Sequence, residues 1–324
     1  MIRPADDLEA MALAVETIRA GGLVSFPTET VYGLGCDALN PKAAARIFTV
    51  KQRPTFDPLI VHVADRAMLR RVVTEVGSNA DRLIDAFWPG PLTLVLPKHP
   101  QVPDIVTAGL PTVAVRIPAD PTALMLLRLS GRPIAAPSAN PFGYVSPTTA
   151  QHVRDGLGDQ VDVVLDGGPC PIGVESTILS LVGACPEVLR AGAVSLEDLR
   201  TLLGPRVQVA GPRSGVTMPG TSTRHYATRT PVTILSRVGE RPMVPPGRRV
   251  GLLALSKSKE CDDRFAVVEV LSPGGHVTDI ARRLFAALRR MDEHGLDHLY
   301  VEPCEETGLG AAIMDRLRRC AAAR

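Results

Sequence analysis

Eight short apolar runs, each closed by proline, glycine or a polar residue, dominate residues 23–192 and limit what this chain can become. They are LVSFP (23–27), LIVHVA (59–64), LTLVLP (92–97), TVAVRIP (112–118), PIAA (133–136), VDVVLDGG (161–168), STILSLV (176–182) and EVLRAG (187–192). Runs of this length and β-branched content read as strands. Helices with explicit caps lie among them. Asp6 stands as N-cap of the first, with Glu9 three residues on as in a capping box. Its apolar face is Leu8, Met11, Ala12, Val15 and Ile18, and Gly21-Gly22 stops it. Asn40 and Pro41 open a second helix that runs to Pro54. Others are expected near 65–74 and 79–87, from Asp120-Pro121, from Ser146-Pro147, and from the SLED start at Ser195. Strands and helices do not alternate strictly, so the expectation is a mixed, twisted α/β sheet and not a repeating parallel barrel.

The first domain is expected to end near residue 205. Residues 206–230 are Gly-, Pro- and Thr-rich without either period and read as a linker. After it, PVTILS, RVGLLALS, AVVEVLS and HLYVEP, with helices at 276–293 and 310–322, suit a smaller open α/β domain over 231–324. The segment RVGERPMVPPGRR is short and proline-rich, so no full crossover helix is expected there. With 45% hydrophobic residues in 324, both parts can bury a core. The net charge is +2, from 36 Lys and Arg against 34 Asp and Glu, so a polyanion would need a local cluster. No basic-then-apolar leader or membrane-length apolar run is seen, and the six cysteines form no C-x-x-C pair. The reading is cytoplasmic, with free thiols.

The residues that could do chemistry gather at run ends. Lys51 and Arg53 close the second helix, where a cation's ordinary role is to face the helix dipole. Asp57 follows in a proline-stiffened loop. His62 sits in an apolar strand, where a hydrogen-bonded core histidine is the plainer reading. Arg116 ends TVAVR, and burial would force it to find an anion; its fork suits a carboxylate. APSANP offers Ser138 and Asn140, GVESTI offers Glu175, Ser176 and Thr177, and LRAG places Arg190 at another strand end. Such strand ends are where open α/β sheets take ligands. There is no G-x-S-x-G elbow, and Gly295 spoils any metal face between His294 and His298.

In order along the chain, SFPTETVYGLGCDA, KQRP…PLIVHVAD, WPGPLTLVL, TAGLPTVAVRIP, PIAAPSANPFGYVSPT, DGGP…GVESTI and VLRAG resemble the YrdC-type L-threonylcarbamoyladenylate synthases. MPGTSTRHYA followed by an α/β domain resembles their long, two-domain form. The resemblance implies condensation of L-threonine, bicarbonate and ATP, with Mg²⁺, to threonylcarbamoyl-AMP and pyrophosphate. The product would pass to a separate complex that modifies tRNA, and direct tRNA contact by this chain is left open. Carried across by motif, Thr30, His62, Arg116 and Ser176 would meet threonine. Lys51, Arg53, Asp57, Thr112, Ser138, Asn140, Ser146, Arg190 and Tyr226 would meet ATP, with the linker as a lid. No protein side chain is assigned to a metal. Two departures stand out: Asp57 where the family commonly has asparagine, and HYAT for HYAP. Two other readings are an RNA-binding module, disfavoured by the near-neutral charge and 4% aromatics, and a carbamoyl-adenylate-forming enzyme.

Overall fold

The computed structural model describes residues 1–211, 226–240, 242–256 and 263–322. The chain divides into two compact units. The first comprises Met1–Phe142, Ser146–Pro171 and Glu175–Ser222, and the second Gly143–Val145, Ile172–Val174 and Thr223–Arg324. Most of the linker at 206–230, residues 212–225, lies outside the described residues.

The strands of the first unit are β1 (Ile2–Pro4), β2 (Val24–Phe26), β3 (Gly33–Asp37), β4 (Ile60–His62), β5 (Leu92–Pro97), β6 (Thr112–Arg116), β7 (Ile134–Ala135), β8 (Val163–Asp166), β9 (Thr177–Ser180), β10 (Glu187–Arg190) and β11 (Gln208–Val209). They form one mixed sheet in the order β1-β8-β2-β3-β7-β4-β6-β5-β9-β10-β11. Parallel pairs such as β4 with β6 stand beside antiparallel pairs such as β5 with β6. The helices are α1 (Leu8–Arg19), α2 (Pro41–Lys51), α3 (Arg66–Leu69), α4 (Ser78–Phe87), α5 (Asp104–Thr107), α6 (Pro121–Ser130), α7 (Ala150–Leu157) and α8 (Leu196–Leu203).

Strand alternation sorts the sheet into two faces. Val61, Leu94, Leu96, Val113, Val115 and Leu179 point into the main core, where they meet helix residues such as Met11, Ile18, Ile47 and Leu126. On the other face Ile60, Val95, Ala114, Ile178 and Leu189 form only a small apolar cluster. His62, Arg116 and Thr93, each two positions from a member of that cluster, share its side. Polar chemistry is therefore concentrated on the thinly covered face of a sheet whose other face is a full core.

Local readings were corrected in three places. Asp7, not Asp6, caps α1, taking the Glu9 amide at 2.9 Å. The helix expected from Ser146-Pro147 begins later, capped by Thr149. The stretch between β2 and α2, absent from the eight apolar runs, also contains a strand, β3. Its glycines hid it. A Cβ at Gly35 would lie 2.6 Å from the Phe26 ring and 2.7 Å from Ile134 Cγ2, so only glycine lets the two side chains close over the strand. The caps at Asn40, Asp120 and Ser195 stand as read, the last as a full capping box.

In the second unit β12 (Val232–Ile234), β13 (Val250–Ser256), β14 (Val267–Ser272) and β15 (His298–Val301) form a parallel sheet in the order β12-β15-β13-β14. The helices α9 (Val277–Glu293) and α10 (Leu309–Ala322) follow β14 and β15. Among the described residues no helix joins β12 to β13, as the proline-rich segment implied. Asp292 of α9 organises this unit: it accepts from the Tyr144 hydroxyl at 3.0 Å and from the amides of Arg229 and Thr230. No described helix is long and apolar enough to cross a membrane.

Gly35→Ala is expected to lower stability by about 1–3 kcal/mol, because it overpacks a closed core site. Equilibrium urea unfolding of the variant against the parent checks this.

Candidate active site

Arg116 ends β6 and is buried, with 3% of its surface exposed. Its Nε donates to His62 Nε2 at 3.0 Å, across the register pair that joins β4 to β6. One terminal nitrogen donates to Glu29 Oε1 and the other to Thr30 Oγ1, both at 3.2 Å. Glu29 and Thr30 belong to the turn between β2 and β3, where Thr28 Oγ1 lies 2.8 Å from Thr30 Oγ1 and takes the Thr30 and Val31 amides. Burial, reinforced by the adjacent guanidinium, holds the His62 pKa well below its ordinary value. The imidazole is neutral, as it must be for Nε2 to accept from Arg116. Of the four residues carried across for threonine, Thr30, His62 and Arg116 meet here, while Ser176 bonds with Thr93 and Arg190.

A second cluster surrounds Asp57. Arg53 pairs with its carboxylate at 2.8 Å with both side chains buried, and also donates to the Asp57 and Pro58 carbonyls. Lys51, the last residue of α2, is buried and donates to the carbonyls of Ser138 and Asn140 in the APSANP loop. Burial pushes the Lys51 pKa well below its ordinary value and neighbouring Arg53 adds to this, with Asp57 opposing. Burial raises Asp57 in turn, against the pull of Arg53, Lys51 and Arg190. Two guanidiniums, those of Arg53 and Arg190, against the one carboxylate leave this corner net positive, with the Lys51 amine beside them.

Arg190, ending β10, joins that corner to a third group. Its guanidinium donates to the Ser176 carbonyl at 3.0 and 3.1 Å and to the Ser176 hydroxyl at 3.1 Å. Ser176, just before β9, also meets Thr93 Oγ1 at 2.7 Å. Ser146 donates to Glu175 Oε1 at 2.6 Å. A Cβ at Gly192 would lie 2.2 Å from the Thr177 amide nitrogen, so this glycine lets the LRAG segment press against the Ser176 backbone. Thr112 begins β6, two residues before Ala114. Tyr226 is counted in the second unit, where it is buried with φ +65°, stacked on Phe285 at 5.4 Å and capped by the Arg316 guanidinium.

Three partners escaped the sequence reading. Thr93 is a lone hydroxyl at an alternating position of an apolar strand, which is a usable signal. Glu175 was noted in GVESTI without a role. Glu29 gave no periodic signal at all.

A family model described as Telomere recombination, that of the Sua5/YciO/YrdC proteins, matches residues 16–192. The chain belongs to this family. A second model, the threonylcarbamoyl-AMP synthase C-terminal domain, matches residues 194–322. The threonylcarbamoyl-AMP synthase of Pyrococcus abyssi is 44% identical over 319 residues, which is 95% of this chain and 92% of that protein. That of Bacillus subtilis is 40% identical over 326 residues, with 97% and 93% covered. The crystal structure of P. abyssi Sua5 complexed with L-threonine aligns with 100% of this chain and 98% of its own, at a TM-score of 0.90 and 40% identity. The chain is an enzyme of this synthase family in its two-domain form, and its Sua5/YrdC unit carries the three clusters above.

Because the folded His62 pKa is depressed, the unfolded chain binds a proton that the folded one refuses below about pH 6.5. Stability from this group is complete above that pH and is lost as pH falls, by at most about 1.4 kcal/mol per unit. Unfolding free energies between pH 7 and 5 should show a shallower slope in His62→Gln than in the parent; equal slopes would remove His62 from this role.

Proposed function

We propose that the first unit condenses L-threonine, bicarbonate and ATP to threonylcarbamoyl-AMP and pyrophosphate, supplying a separate complex that modifies tRNA. The observation that carries the reading is a pair of unlike electrostatic environments in one unit, linked through Arg190, which acts on Asp57 and bonds Ser176, and through Thr93 of β5, the strand paired with the one that Arg116 ends. Around Arg116, cation and carboxylate balance and hydroxyls abound, which suits a small zwitterion. Around Asp57, buried cations outnumber carboxylates, which suits a polyphosphate. The near-full-length likeness to a Sua5 complexed with L-threonine supports it.

The chemistry asks little covalent help of the protein. The threonine amine is carboxylated, and the new carboxylate attacks the α-phosphorus in line as pyrophosphate leaves. Two anions must approach, so the contribution of Arg53 and Arg190 is fixed positive charge, while Lys51, its pKa lowered by burial, is drawn to its charged form by the anions it meets. Asp57 does not simply oppose it: its charge is spent on Arg53 and serves to hold that guanidinium. Mg²⁺ enters as part of the Mg-ATP substrate. The buried carboxylates of Glu29, Asp57 and Glu175 are each engaged by Arg116, Arg53 and Ser146. No group of three or more metal-ligating side chains is present among the described residues.

Pyrophosphate release from Mg-ATP, with L-threonine or bicarbonate omitted in turn and the product weighed by mass spectrometry, tests the reading. Release is expected only with both, alongside a threonylcarbamoyl-AMP mass. Turnover indifferent to threonine but supported by carbamoyl phosphate would favour carbamoyl-adenylate formation, and RNA binding without turnover would favour the binding module. Arg116→Lys keeps the charge but loses the fork. It should raise the KM for threonine by roughly 10- to 100-fold, the worth of one charge-assisted hydrogen bond, and leave the KM for ATP unchanged.

A further inference from the structure

We infer that Glu29 receives the α-ammonium of the amino-acid substrate and takes up its proton before carboxylation. The inference rests on the threonine reading of this site and gives it a base.

Glu29 is buried, 6% exposed, and only one of its oxygens is used: Oε1 accepts from Arg116, while Oε2 has no hydrogen-bond partner among the described residues. A buried carboxylate oxygen without a donor is costly, so its retention points to a donor that arrives with a ligand. Arg116 shows the matching surplus. Its Nε–H goes to His62 and one N–H of each terminal nitrogen goes to Glu29 and Thr30, which leaves one N–H on each terminal nitrogen. An α-amino acid complements that pair of unused capacities, its carboxylate on the guanidinium and its ammonium on Oε2.

The neighbouring groups are less suited to the ammonium. His62 Nε2 already accepts from Arg116, and the neutral ring then carries its hydrogen on Nδ1. The Thr28 hydroxyl donates to the Val31 carbonyl at 2.6 Å. The other ionisable groups that feel Glu29 are Asp120 and Cys170. Asp120 accepts from the Thr122 and Ala123 amides as the cap of α6, and the Cys170 thiol is held protonated chiefly by burial.

The step balances. An N–H bond of the ammonium breaks as an O–H bond forms on Glu29, freeing the nitrogen lone pair. That pair forms the C–N bond to the bicarbonate carbon; a second N–H bond then breaks and its proton joins the bicarbonate hydroxyl as the C–OH bond breaks, so water leaves and an N-carboxylate remains. The proton on Glu29 returns to solvent when product departs.

Titration calorimetry of Glu29→Gln and the parent, with L-threonine and with 2,3-dihydroxybutanoate, whose α-ammonium is replaced by hydroxyl, tests the assignment. Glu29→Gln should weaken L-threonine at least roughly 10-fold, as loss of a charged hydrogen bond does, and leave the hydroxy acid within a few-fold. With L-threonine saturating, its kcat should also fall by about 100-fold, because an amide cannot take up the proton. Equal weakening of both ligands would mean that Glu29 merely holds Arg116, and would overturn the inference, as would unchanged threonine binding. Should Glu29→Gln fail to fold, Glu29→Asp, which keeps the charge at shorter reach, should show the same selective loss in smaller measure. Failure of the folded parent to bind L-threonine would remove the threonine reading, and this inference with it; loss of selectivity in the variant removes the inference alone.

Discussion

A buried guanidinium at the end of an interior strand sets the terms for the rest of the site. Arg116 cannot leave β6, because Val113 and Val115 fasten that strand into the main core. Nor can its charge be left bare so far from water. Its neighbours must therefore be what they are: a carboxylate at Glu29, a hydroxyl at Thr30 and an imidazole kept neutral at His62. The turn between β2 and β3 is drawn onto the sheet by these bonds, and its own hydroxyl network holds it there. One desolvated charge thus ties a strand end, a neighbouring strand and a distant turn into a single rigid piece.

The cations around Asp57 are stabilised differently. Their principal partners are backbone carbonyls: Ser138 and Asn140 for Lys51, Asp57 and Pro58 for Arg53, Ser176 for Arg190. Carbonyl dipoles make a buried cation tolerable without cancelling its charge, so the corner stays positive. A single carboxylate, Asp57, pins Arg53 in direction. Preorganised charge of this kind is what bringing two anions together demands, since nothing need reorganise when the bond forms.

Much of the architecture was legible locally. Caps at Asn40, Asp120 and Ser195 depend on one side chain and an adjacent amide, and short β-branched runs between breakers have few alternatives to strands. Where local signals misled, contacts from elsewhere had intervened. The run GLGCD, with two glycines, does not read as a strand, yet it forms β3, with Phe26 and Ile134 closing over Gly35. Of the site, Arg116 was legible because a cation ending an apolar strand must either emerge at the sheet edge or meet an anion. Glu29 was not, because a glutamate in a polar turn is unremarkable until the fold delivers a guanidinium to it.

The sequence by itself determined the kinds of element, most of their caps, the mixed α/β class of the first unit, the open α/β character of the second, and the family through seven ordered motifs. Those depend on contacts a few residues apart or on residue order, both of which a linear reading contains. Only the tertiary structure decided the pairings: Glu29 with Arg116, Thr93 with Ser176, Ser146 with Glu175, and Asp57 held by Arg53. Most of these partners are decades of residues apart. What selects them is the cost of burying charge and hydroxyl groups without partners, a cost that arises only once the sheet has closed.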